Sequence, residues 1–141
     1  MTAKEYLLQA QRIDREIARR TERIKVLRSM ATRLTRRLKS VHVQASPNPA
    51  ATQAFLDEAA DEETEVRRLQ ELRRRLQAEI TFTISRLEDP AMARLLECRY
   101  LEGFSWMEIA DELRCSDSAV FRIHRDALEL LPVPPEEKGL P

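Results

Sequence analysis

Apolar and small residues recur at Ala10, Ile13, Ile17, Ile24, Leu27, Ala31, Leu34, Leu38 and Val41, in steps of three and four. Arg20 fills the one polar seam position between Ile17 and Ile24. A 3.5-residue repeat held over about four heptads is a coiled-coil signature. Thr2 and Glu5 have capping-box spacing, so this helix is expected to begin almost at the first residue. Ser46-Pro47-Asn48-Pro49 stops it, because proline removes a donor and disfavours helix in the residue before it. A second run follows at Leu56, Ala59, Val66, Leu69, Leu76, Ile80 and Leu87, with Leu72 and Ile84 alongside. Two long amphipathic helices around a short breaker at 46–52 predict an antiparallel hairpin over residues 1–86. Such a hairpin has little core of its own, so it must pack on the C-terminal part or self-associate. A homodimer or higher homo-oligomer is the expectation.

Asp89-Pro90 marks the next boundary, with Asp89 suited to an N-cap and Pro90 to a first helical turn. Met92, Leu95, Leu96, Arg99 and Tyr100 define one short helix, ending near Glu102-Gly103, where glycine permits a left-handed cap. Ser105-Trp106-Met107-Glu108 has the Ser-x-x-Glu capping box, and Ile109, Ala110 and Leu113 are the apolar positions of the helix it opens. Arg114-Cys115 forms a turn. Ser116 caps a last helix whose Val120, Ile123, Ala127 and Leu128 face inward. Ile-Ala-x-x-Leu, a short turn and Ser-x-x-x-Val is the packing pattern of a helix-turn-helix. The fold class is therefore all-α, with a helical hairpin over 1–86, a three-helix module over 87–131, and a disordered Pro-rich tail over 132–141.

Composition agrees with long helices: two glycines in 141 residues and 34% charged side chains leave little material for tight-turned sheets. No apolar run approaches the roughly 20 residues of a membrane span, so no membrane partner is expected. Met1 leads into a charged periodic stretch, unlike a secretory signal, and the expected location is cytoplasmic. Cys98 and Cys115 are too few for a disulfide framework and are expected to be core thiols. With His42 and His124 remote in sequence, no metal site and no cofactor are expected.

The net charge of zero conceals a split. Residues 1–40 carry twelve Lys/Arg against four Asp/Glu, whereas residues 86–131 carry six against ten. The basic first helix has two readings: a nucleic-acid arm, or the charged flanks of a coiled coil neutralised by the acidic second helix.

The stretch from Arg99 to Ala110, RYLEGFSWMEIA, resembles the region-4 helix-turn-helix of sigma factors. The continuation from Val120 to Leu128, VFRIHRDAL, is similar to small phage late-transcription regulators of the RinA/ArpU type. Those proteins share the layout of a charged helical part followed by a sigma-like module. The resemblance implies a phage or prophage regulator that binds double-stranded DNA in a bacterial host, with the host RNA polymerase as a further partner. Arg114 departs from the pattern, standing where such turns usually carry glycine, at a cost on the order of 1 kcal/mol. The module's balance of −4 also departs from the basic footprint of most DNA binders.

With Val120 and Ile123 inward, the last helix turns Asp117, Ser118, Phe121, Arg122 and Arg125 outward. Ser118, Phe121 and Arg122 are the candidate base contacts: a hydroxyl, an apolar contact for a thymine methyl, and a guanine reader. Arg125 and Arg114 are candidate phosphate contacts, and Ser105 and Trp106 candidate backbone contacts at the start of the preceding helix. Trp106 is equally suited to packing. Asp117 repels phosphate and suits the helix N-terminus. His124 is expected to be a partly buried structural residue.

The leading function is a sequence-specific transcriptional regulator. Two alternatives stand beside it: a small-terminase-like packaging protein, whose usual order of modules is the reverse of this one, and a sigma-like module that binds polymerase more than DNA. No enzyme is expected, because the chain has no glycine-rich phosphate loop, no metal-spaced cluster and no nucleophile elbow.

Overall fold

The computed structural model describes residues 1–40 and 49–135. Val41, His42, the 46–48 part of the expected breaker, residues 136–141 of the tail and the Leu38 side chain lie outside the described residues. Among the described residues every regular element is helical: α1 (Ala3–Ser40), α2 (Pro49–Ser85), α3 (Pro90–Leu96), α4 (Trp106–Leu113) and α5 (Asp117–Leu130). The fold is all-α, a helical hairpin followed by a C-terminal helical module. No helix among the described residues is long and apolar enough to cross a membrane.

Local chemistry sets the helix starts. Thr2 Oγ1 accepts from the Glu5 amide at 3.1 Å while Glu5 Oε2 accepts from the Thr2 amide at 3.0 Å, so two orphan donors are satisfied together. Asp89 accepts from the Ala91 amide at 2.8 Å, and Pro90 occupies the first turn of α3. α3 widens without a break into a π-helical turn, Glu97–Leu101, closed by the Glu102 amide on the Glu97 carbonyl at 3.0 Å.

The described chain divides into two compact units, Met1–Ile13 with Arg73–Pro141, and Asp14–Leu72. In the first, Leu7 and Ala10 of α1, Ile80 and Ile84 of α2, and Leu95, Leu96, Cys98, Ile109 and Ala127 are fully buried in one core. Tyr6 and Thr83 meet through their hydroxyls at 3.0 Å inside it. Thr83 also donates to the Glu79 carbonyl, so this buried pair leaves little polar capacity unmet. After α5 the Leu131 side chain is buried, and Val133 packs against the same core.

The second unit is a two-helix layer. Ile24, Leu27 and Ala31 of α1 and Ala59 and Leu69 of α2 are its buried apolar residues. Ion pairs flank them: Arg20 to Glu62 at 3.0 Å, Arg23 to Glu58, and Arg28 to Glu63. Leu56 and Leu72, members of the apolar run in α2, are 42% and 43% exposed instead of buried in the seam. A straight helix drifts by about 20° per heptad against a strict 3.5 repeat, which turns some apolar positions out of a single seam.

Candidate nucleic-acid interface

α4 and α5 are each fixed at their first turn by a serine. Ser105, in extended backbone, accepts from the Glu108 amide at 3.2 Å, and Glu108 reaches back to the Ser105 amide at 3.4 Å. Ser116 accepts from the Ala119 amide at 3.2 Å. Between the helices Arg114 takes the left-handed conformation, φ 53° and ψ 49°. That conformation lets the Cys115 amide reach back to the Ala110 carbonyl at 3.1 Å, satisfying an otherwise orphaned acceptor. Ile109 and Ala110 of α4 and Val120 and Ala127 of α5 are buried where the helices pack, and the methyl of Ala110 permits close approach.

This packing settles which side of α5 is free. Asp117, Ser118, Phe121, Arg122 and Arg125 are all exposed. Ser118, Phe121, Arg122 and Arg125 follow the i, i+3, i+4, i+7 spacing of one helical face. Arg114 and Ser105 are also exposed, and Trp106 is half-buried. Arg125 lies 3.7 Å from Asp126, a loose and solvent-exposed pair.

The module's cations are divided between two jobs. Arg94 is held by Glu102 and Glu112, both at 3.1 Å, which raises its pKa and ties α3 to α4. Arg99 donates to the Phe104 carbonyl at 3.2 Å and lies 4.2 Å over the Trp106 ring. Their guanidiniums answer internal carboxylates, a carbonyl and a ring. Arg86, which precedes α3, is exposed, as are Arg114, Arg122 and Arg125 of the turn and α5, so the balance of −4 does not describe the surface around α5.

Trp106 is the centre of an aromatic group that sequence spacing does not reveal. Its ring lies 5.2 Å from Phe121 and 4.8 Å, edge-on, from His124. Tyr100 stacks on His124 at 5.9 Å, and its hydroxyl lies 2.8 Å from His124 Nε2. Burial lowers the His124 pKa from its ordinary 6.5, with Lys4 and Arg99 adding in the same direction. The imidazole is therefore neutral at neutral pH. Burial pushes the Cys98 thiol up to about 11, as befits an inert core residue. Among the described residues no three His, Cys, Asp or Glu side chains come together as a metal site.

A family model described as ECF sigma factor matches residues 53–127, just over half of the 141 residues. The match runs from within α2 to within α5, so it takes in much of the second long helix as well as the helix-turn-helix. No curated protein and no solved structure matches the chain. Sigma factors are regulators that act by binding, a non-enzymatic family, and the C-terminal elements form a sigma-factor-like, DNA-binding regulatory module. On that match the chain belongs to the ECF sigma factor family.

Proposed function

We propose that this protein is a sequence-specific transcriptional regulator, encoded by a phage or prophage, that reads duplex DNA with α5. One observation carries the reading: the free face of α5 presents a hydroxyl, an aromatic ring and two guanidiniums in register, directly after the Ser116 cap. The first turns of a recognition helix are the part that reaches base edges in a major groove. In this reading Ser118, Phe121 and Arg122 contact bases, and Arg125 and Arg114 hold phosphates. Ser105 and the exposed part of Trp106 flank the backbone at the start of α4. The similarity of the Val120–Leu128 stretch to late-transcription regulators supports the phage assignment. The hairpin of residues 1–86 supplies dimerisation, which calls for a target with two half-sites.

Duplexes selected from a random-sequence pool by the full-length protein provide the test. A selected site should appear as a protected footprint, and Arg122→Ala should weaken binding to it by about 1–3 kcal/mol while relaxing one base position. A pool that yields no enriched sequence and no protection would sink the reading.

A second reading has its own support. Met107 on the outer side of α4 is 74% exposed, next to the exposed Glu108 and four residues before the exposed Asp111. An apolar residue among carboxylates repels phosphate and suits a protein surface, and here the partner is RNA polymerase. Co-purification with polymerase that Met107→Glu abolishes, with DNA binding intact, would support it.

A further inference from the structure

The aromatic group beneath the exposed side of α5 joins that face to the core. Phe121 is 51% exposed, so about half of its surface is taken up within the protein. The ring against it is Trp106, at 5.2 Å. Trp106 is fixed in turn by the Arg99 guanidinium over its ring at 4.2 Å and by the edge-on His124 at 4.8 Å. His124 is held on its other side by the Tyr100 hydroxyl at 2.8 Å and the stacked Tyr100 ring. Tyr100 is 4% exposed and belongs to the core. The chain of contacts thus runs from an immobile phenol, through an imidazole and an indole, to a ring on the surface.

We infer that His124 is a positioning residue of the recognition surface, acting through Trp106 to fix where Phe121 stands on α5 and hence which base step Phe121 reads. The inference rests on the reading of α5 as the recognition helix. His124 is half-buried, with its ring engaged by Tyr100 on one side and Trp106 on the other. Its influence is geometric. Aromatic pairs prefer offset and edge-on arrangements, so the angle of one ring constrains the next. A neutral imidazole can accept a hydrogen bond from the Tyr100 hydroxyl at Nε2 and turn an edge to the indole. A protonated one is a donor at both nitrogens, so its hydrogen bond with Tyr100 must reverse, and it gains a charge in a half-buried site facing Lys4 of α1 and Arg99 of the π-turn, with Tyr100 and the Trp106 ring of α4 its other neighbours. The reversed bond and the repulsion from two cations therefore shift the group at the residue that sets its geometry.

The test compares full-length wild type, His124→Ala, His124→Phe and Phe121→Ala. Binding is measured to a duplex selected by wild type, to its single-base variants and to random-sequence duplex, with thermal unfolding monitored in parallel. His124→Ala should lower discrimination by about three- to tenfold, the worth of one aromatic pair, at the base step where Phe121→Ala acts. Its affinity for random duplex should stay at the wild-type level. As the pH falls through the His124 pKa, which burial holds below the ordinary 6.5, wild type should lose discrimination at that step, while His124→Phe, which has no proton to gain there, should not. Equal losses on selected and random duplex would reduce His124 to a structural role, and unchanged discrimination in His124→Ala would also overturn the inference. If Phe121→Ala itself binds the selected duplex as wild type does, the base-reading assignment fails first and takes this inference with it.

Discussion

The unit formed by Met1–Ile13 and Arg73–Pro141 and the unit Asp14–Leu72 are built in part from the same two long helices, yet they are held together by different forces. The first buries large side chains completely, Leu7, Ile80, Ile84, Leu95, Leu96 and Ile109 among them, in a core closed on several sides. The second is one layer thick. Its buried residues are fewer, two of them are alanines, and Arg–Glu pairs run along its flanks. A helical hairpin offers each apolar side chain one neighbouring surface, whereas helices packed from several directions enclose it. The contrast teaches that residue type along α1 and α2 does not fix their role; what packs against them does.

The largest expected effect exploits that difference. Leu96→Ala removes a side chain with no exposure from a core that relaxes only in part around the gap. It should cost about 2–5 kcal/mol in chemical denaturation, with DNA binding lost in parallel. Leu27→Ala, 5% exposed in the hairpin layer, should fall near about 2 kcal/mol, because an open-sided layer relaxes and admits water. Equal costs would erase the distinction between the units.

Next in size is the cap that starts α5. Ser116→Ala leaves the Ala119 amide without its partner and should cost about 1 kcal/mol in thermal unfolding. Because the cap belongs to the first unit, the loss should track that unit's unfolding. A variant as stable as wild type would mean that α5 is held by packing alone.

These caps were also the most legible part of the chain. Thr2 with Glu5, Asp89 with Pro90, Ser105 with Glu108, and Ser116 are local codes whose donors and acceptors lie within three residues, so spacing alone reveals them. The outward face of α5 followed from Val120 and Ile123 by helical period. What spacing could not show was long-range. Tyr6 and Thr83 are 77 residues apart, and nothing in either neighbourhood marks them as partners. Nothing in the spacing of Arg94 and Arg99 names their partners, yet one is claimed by Glu102 and Glu112 and the other by Trp106. Tyr100 and His124 belong to different helical patterns, and only packing unites them.

Arg114 offers a smaller change of opposite sign. It is the non-glycine residue that the described backbone holds at positive φ, a conformation that costs an L side chain on the order of 1 kcal/mol. Arg114→Gly should recover up to about 1 kcal/mol, offset in part by the greater freedom of glycine in the unfolded chain. If Arg114 holds a phosphate, the same variant should bind DNA more weakly and with a shallower salt dependence. A protein that is both less stable and unchanged on DNA would contradict both statements.

The smallest effect tests what holds the hairpin layer. Glu62 serves Arg20 at 3.0 Å and Arg23 at 3.8 Å, and Arg20 also holds Glu16 at 2.9 Å, so these charges form a small network. Glu62 is the least exposed of them, at 18%, which shields its pairs from solvent more than an ordinary surface bridge. Glu62→Gln should cost about 0.5 kcal/mol at low salt, within the range of partly exposed pairs. At about 1 M salt the Debye length shrinks to about 3 Å and most of that cost should vanish. The cost of Leu96→Ala should persist at the same salt, because apolar burial is not screened. Should Glu62→Gln cost the same at both concentrations, the charges contribute little. The hairpin layer would then be held, like the other unit, by its buried side chains.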